Sequence, residues 1–281
     1  MTRLHAPAPQ RPVSPTPPTR LRRPGIGSLL IMLVTAAIVA HAISAGAVVS
    51  PGNLVGDLDR TWTFVTDAFP PDLDRAGPMG WAMLETFEIA LVGTVLGVAL
   101  SVPLAVLAAR NTSPHLLVHA VTRSIIAFLR SVPDLVWGLV FVVTVGLGPE
   151  AGVLAIAVDT AGFCGRFFAD RFEDVDSDLI ESLTATGASR TAILASAVVP
   201  SLAPALVGIS LFALEMATRS SVVLGVVGAG GIGVELTTSM QLLRYDEALT
   251  IILFIFVVVL AVERLAAAIR RKLGVQGTLA F

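Results

Sequence analysis

Apolar stretches at 26–49, 81–109, 116–147, 153–169, 195–227 and 248–262 dominate this chain and leave it few places to fold other than a bilayer. A helix needs about 20 apolar residues to cross a hydrocarbon core of roughly 30 Å, and several of these stretches meet that length. With 54% hydrophobic and 14% charged residues and a mean hydropathy of +0.82, the chain lacks the polar material to cover a soluble globule. Charged residues usually make up about a quarter of such proteins. The expected fold is all-α, a polytopic membrane protein with about six transmembrane helices. Nineteen basic residues against 21 acidic ones give a net charge of −2, so bulk charge does not draw the chain to nucleic acid. The single cysteine, Cys164, sits in an apolar run and reads as a buried thiol, with no redox or metal chemistry implied.

Residues 1–25 interleave prolines with Arg3, Arg11, Arg20, Arg22 and Arg23, and almost no large apolar residue precedes Leu21. Such a segment cannot bury enough surface to offset the entropy of ordering, so a disordered cytoplasmic tail is expected. Residues 26–80 read as a first transmembrane anchor followed by an extracytoplasmic segment. The basic start and Ala40-His41-Ala42 also sketch a signal peptide, but the apolar length beyond Ala42 favours a retained anchor. In the acidic segment after it, Trp62, Phe64 and Phe69 suit the membrane interface. Residues 81–273 form the main transmembrane domain, with a cytoplasmic loop at 170–200, and 274–281 is a short tail.

Within that domain, Gly93, Gly97 and Ser101 recur every four residues, a spacing that lets helices approach closely. Pro133 pushes Val132 out of helical geometry and should kink or restart the third span, across which Arg130 and Asp134 are spaced to pair. Asp159 lies inside the fourth apolar stretch, where an isolated acid costs about 2.5–3.5 kcal/mol, which makes it a candidate pathway residue. If Gly162 and Gly165 bend that short span, Asp159 faces a wet cavity or pairs with Arg219. Glu215 and Arg219 stand four residues apart on one face of the fifth span. The run GAGGIG at 228–233 fits a dinucleotide motif only literally, because no strand–helix unit surrounds it. It reads as a tight turn whose bunched amides are able to help hold an anion.

Between two apolar stretches stands ESLTATGASRTAILASAVVP, residues 181–200. Asp178 and Glu181 have a capping-box spacing, Gly187 is suited to stop a helix, and Ser189 is placed to cap a second one that meets Pro200. A first helix of about eight residues is too short to be stable alone in water, so it needs a surface to dock on. The positions of Glu181, Gly187 and Pro200 resemble the EAA-loop signature of ABC importer permeases. Ser182 and Leu183 replace its two alanines, and Ala197 and Val199 its Ile and Leu. The stretch ETFEIALVGTVLGVALSVPLAVLAARN, with Glu215 and RSSVVLGVVGAGGIGVE, is similar to the phosphonate-uptake branch, although Ala217 replaces its usual Asn.

The resemblance implies a type I ABC importer permease fold in a bacterial inner membrane, with both termini cytoplasmic. Basic residues near Arg110 and after Arg264 agree with that orientation if there are six spans. It further implies a second permease subunit, as a homodimer, two cytoplasmic ABC ATPases that hold ATP and Mg, and an extracytoplasmic substrate-binding protein. The chain has no phosphate-binding loop of its own, so it is expected to be neither an enzyme nor a cofactor binder. Glu181, Gly187, Arg190 and Pro200 are then the ATPase-coupling residues. Asp159, Glu215, Arg219, Ser220 and Ser221 are the substrate-pathway candidates, for a phosphonate or related phosphorus oxyanion. A methionine or osmolyte importer permease is the nearest rival, and a secondary transporter would also contain intramembrane charges.

Overall fold

The computed structural model describes residues 25–44, 58–175 and 177–274. Most of the expected tails over 1–25 and 274–281, together with 45–57 at the end of the expected anchor and the start of the extracytoplasmic segment, lies outside the described residues. The chain divides into two compact units, one ending at Trp62 and one starting at Thr63. In the first, α1 (Ile26–Ser44) is an apolar helix of 19 residues, none of them buried. That length is about 28 Å of helix, close to the thickness of the hydrocarbon core. The short helix α2 (Leu58–Asp67) leads into the second unit.

That unit contains α3 (Ala76–Ala108), α4 (Leu116–Ser131), α5 (Asp134–Val145), α6 (Pro149–Glu173), α7 (Ser177–Ala185) and α8 (Arg190–Ile193). A π-turn over Leu194–Val198 joins α8 to α9 (Val199–Val226), followed by α10 (Ile232–Gln241) and α11 (Tyr245–Lys272). Among the described residues five helices are long and apolar enough to cross a membrane, or six crossings if α4 and α5 count as one broken span.

The bundle is built around α6, 61% buried in its apolar window, whereas α11 is 11% buried. Small residues explain the difference. A side chain added at Gly93 or Gly97 of α3 would stand 2.7 Å from Ile156 or 2.5 Å from Thr160 of α6, so the two backbones meet where the four-residue spacing anticipates it. Phe168 and Phe172 of α6 fill one end of the core with Ala105, Ala108 and Ile126, and Cys164 is buried among them.

Two expectations about the spans change and one holds. First, the fourth span is neither short nor bent. α6 runs unbroken for 25 residues from Pro149, a residue suited to a first turn. Gly162 and Gly165 do not bend it, because they receive Leu129 and Ile126 of α4. Second, the third span does break at Pro133. Val132 is extended (φ −95°, ψ 122°), and α4 and α5 meet at 89°. Third, that bend destroys the helical spacing that would pair Arg130 with Asp134. Arg130 instead lies over the rings of Phe163 and Phe167, and Asp134 accepts the amide of Leu135 at 2.8 Å.

The GAGGIG run is a turn, as its composition implies. Gly228, Gly230 and Gly231 have φ of 90°, 83° and 74°, values open to glycine. Gly225 and Gly233 touch so closely that a side chain at Gly233 would meet the Val222 carbonyl. Three amides of the run are engaged within the protein. Gly228 donates to Gly225 O, Ala229 to Leu224 O and Ile232 to Thr86 Oγ1 (2.7 Å). The turn closes on α3 through Thr86.

Candidate functional site

The loop between α6 and α9 has the helix–turn–helix form expected of it. Gly187 takes φ +82° and its amide donates to Thr184 O at 2.9 Å, which ends α7 after nine residues. Ser189 Oγ accepts the Ala192 amide at 3.3 Å, so Ser189 caps α8. One detail differs: α7 already includes Ser177, so Asp178 stands inside the first turn instead of capping it. Pro200 lacks an amide proton and its ring clashes with the carbonyl four residues back. The chain answers with the π-turn immediately before α9, a wider coil that makes room for the ring.

The surface on which α7 rests is partly its own bundle. Leu183 and Ala188 pack on the cluster that contains Phe168, Phe172, Ile193 and Val198. Glu181, Ser182, Thr184, Ala185, Thr186 and Gly187 remain exposed. Arg190 opens α8. Beside this loop the end of α6 is tied to its neighbours: Glu173 Oε1 accepts the Arg110 amide at 2.9 Å and Arg123 Nη2 at 3.0 Å. The loop is therefore an exposed helix–turn–helix that runs through the π-turn into a membrane-crossing helix and lies beside the anchored end of α6.

The interior polar residues do not form the single cluster that their helical spacing suggests. Asp159 lines a cavity of about 10 Å³ with Asp134, Thr160 and Ser220, room for about one water. Glu215, 6% exposed, forms an ion pair with Arg270 of α11 at 2.7 Å, so Arg219 is not its partner. Arg219 is exposed, Ser220 lines the Asp159 cavity, and Ser221 is buried and donates to Thr218 O at 3.0 Å. Successive helical residues point about 100° apart, which disperses the expected contact set onto three faces. The same rule leaves Arg219 beside exposed Met216, Val223 and Val226.

Two polar assemblies escaped the sequence reading. Arg270 reads as one of several basic residues after the last span, and nothing in its own neighbourhood signals a partner 55 positions away. At the other end of the bundle Arg75 reaches Glu247 at 3.2 Å and Glu235 at 3.4 Å, while Arg244 and Ser239 also engage Glu247. These contacts fasten α3, α10 and α11 together around a carboxylate that is 6% exposed.

The family described as "Binding-protein-dependent transport system inner membrane component" matches residues 101–275, from the last two turns of α3 to just past α11. The chain belongs to this family. As a member it is a multi-pass inner membrane component, and its helices form the type I ABC importer permease fold. The inner-membrane component is similar to the phosphate-import permease protein PhnE of Mycolicibacterium smegmatis, with 40% identity over 90% of this chain and 47% of that one. It therefore spans about half the length of that relative. It is 37% identical to the phosphite transport system permease protein PtxC of Stutzerimonas stutzeri, over 78% of this chain and 80% of that one. Among solved structures, the MetNI methionine ABC transporter in an inward-facing conformation matches with a TM-score of 0.60 and 24% identity, over 70% of this chain and 98% of that one.

Proposed function

We propose that this chain is the permease subunit of an ATP-driven importer of a phosphonate or related phosphorus oxyanion. The observation that carries the reading is the exposed α7–Gly187–α8 loop running into α9, in a chain 40% and 37% identical to relatives named for phosphate and phosphite transport. The methionine transporter shares the fold at 24% identity, which favours no substrate. ATP and Mg belong to two cytoplasmic ATPase subunits that seat on Glu181, Gly187 and Arg190. Closure of those subunits pushes the α7–α8 lever, and Pro200 and the π-turn pass the movement to α9. An extracytoplasmic binding protein supplies the anion. Both termini lie on the cytoplasmic side with Arg110 and the Arg270–Lys272 cluster, in keeping with the positive-inside rule.

A second permease subunit, most simply an identical copy, covers the α9 face that bears Arg219. An arginine among Met216, Val223 and Val226 is costly against lipid and is expected to face a pathway or a partner. There it meets the passing anion, whose oxygens suit a guanidinium fork, and Asp159 with Ser220 lies one helical face away. The test is uptake by cells making the chain with its ATPase and binding protein. Radiolabelled phosphite or phosphonate should accumulate and excess methionine should not compete. Arg219→Ala should abolish accumulation while the complex still assembles. Methionine accumulation would overturn the substrate, and full transport by Arg219→Ala would remove that residue from the pathway.

A further inference from the structure

Arg123 and Arg130 stand seven residues apart on α4, two turns and thus on one face. Both line a cavity of about 280 Å³ to which α6 contributes Arg166. Ser131 adds a hydroxyl, and the remaining lining, Ile126, Ala127 and Ala169, is apolar. The three guanidinium groups are committed to different degrees. Arg123 is held by Ala108 O at 3.1 Å, Glu173 at 3.0 Å and Asp170 at 3.1 Å. Among the described residues Arg166 has only Asp170, at 3.9 Å. Arg130 has no carboxylate at ion-pair distance among the described residues, and its guanidinium lies 5.8 and 5.7 Å from the ring centres of Phe163 and Phe167. Stacking on aromatic faces orients the fork while leaving its donors unused.

We infer that this cavity binds a phosphorus oxyanion. Two under-neutralised guanidinium groups from different helices, with a third fixed beside them, surround one space with donors matched to tetrahedral P–O geometry. Its position adds to this. Arg123 touches the end of α3, and the wall residues Ile126 and Ala169 belong to the core cluster that also receives Leu183 of the coupling loop. Basic pockets between helices at a membrane face take up anionic headgroups, and a free phosphate or phosphonate offers the same oxygens. The site is separate from Arg219 and Ser220, so it stands whether or not the importer carries phosphorus compounds.

The full chain in maltoside micelles, which contain no phosphorus, provides the test. ³¹P NMR line widths would be followed on adding phosphatidylglycerol in one series and inorganic phosphate in another. Trp137, whose Nε1 donates to Leu129 O beside Arg130 at 3.4 Å, gives a second optical signal. Saturable broadening by the lipid assigns a headgroup site, and saturable broadening by phosphate assigns a free-anion site. In either case Arg130→Gln and Arg166→Gln should each weaken binding about tenfold, the loss of one charge-assisted contact. Arg130→Lys should recover part of it, and Arg264→Gln on the exposed side of α11 should change nothing. Gel filtration confirms that each variant is folded. If neither probe binds saturably, or if Arg130→Gln binds as tightly as the parent chain, the inference is wrong.

Discussion

Glu215 and Arg270 show how differently one residue reads in sequence and in the folded bundle. Spacing offers Glu215 a neighbour at Arg219 on its own helix, but the fold supplies Arg270 from α11 at 2.7 Å. With side chains 7% and 18% exposed, the pair is largely removed from solvent. Breaking such a pair strands a charge, so Glu215→Gln or Arg270→Gln should each destabilise the chain by roughly 3 kcal/mol. Replacing both at once, Glu215→Gln with Arg270→Gln, should cost less than the sum. Thermal unfolding in detergent measures this, and additive losses would show that the two groups do not interact. Gly97 makes a steric prediction of the same kind. Gly97→Leu must displace Thr160, which a side chain there would already approach to 2.5 Å. Overpacking of that sort costs about 1–3 kcal/mol or more, visible as a lower melting temperature and a reduced folded yield.

Among the helices, those governed by local rules were legible in advance. Pro133 ends α4 because proline excludes the preceding residue from helical geometry, and Gly187 ends α7 because it accepts a positive φ. The Gly93 and Gly97 spacing announced the contact with α6. The bend expected at Gly162 and Gly165 was wrong, since a glycine that relieves a helix contact and a glycine that bends a helix look the same in one dimension. The pairing expected of Arg130 fails for a related reason. Its spacing to Asp134 holds only in a continuous helix, and the 89° turn hands it to Phe163 and Phe167. Substituting valine at Gly187 forces a β-branched residue to φ +82°, at about 1–2 kcal/mol of local strain. The loop should distort while the transmembrane helices stay intact. Circular dichroism is expected to be unchanged, with loss of substrate-stimulated ATP hydrolysis in the assembled complex.

For the molecule as a whole, composition was enough to assign a helical membrane protein, and the spacing of Glu181, Gly187 and Pro200 pointed to the family whose match covers 101–275. The arrangement of polar groups in the interior was not readable, because it depends on which helices become neighbours. Asp159, Glu215 and Arg219 are similar sequence signals, yet one lines a water-sized cavity, one is neutralised by α11 and one faces outward. The division of labour follows from this. α6 and α3 form the packed centre, the Arg75–Glu247 assembly ties one end, and in the proposed mechanism the α7–α8 loop moves α9 from the other. The most direct measurement is ATPase activity of the permease with its ATPase and binding protein in lipid nanodiscs, titrated with phosphonate, phosphite and methionine. Stimulation by phosphonate or phosphite, abolished by Gly187→Val without loss of assembly, is the expected result. Stimulation by methionine alone, or stimulation that survives Gly187→Val unchanged, would contradict the proposed substrate in the first case and the coupling role of the loop in the second.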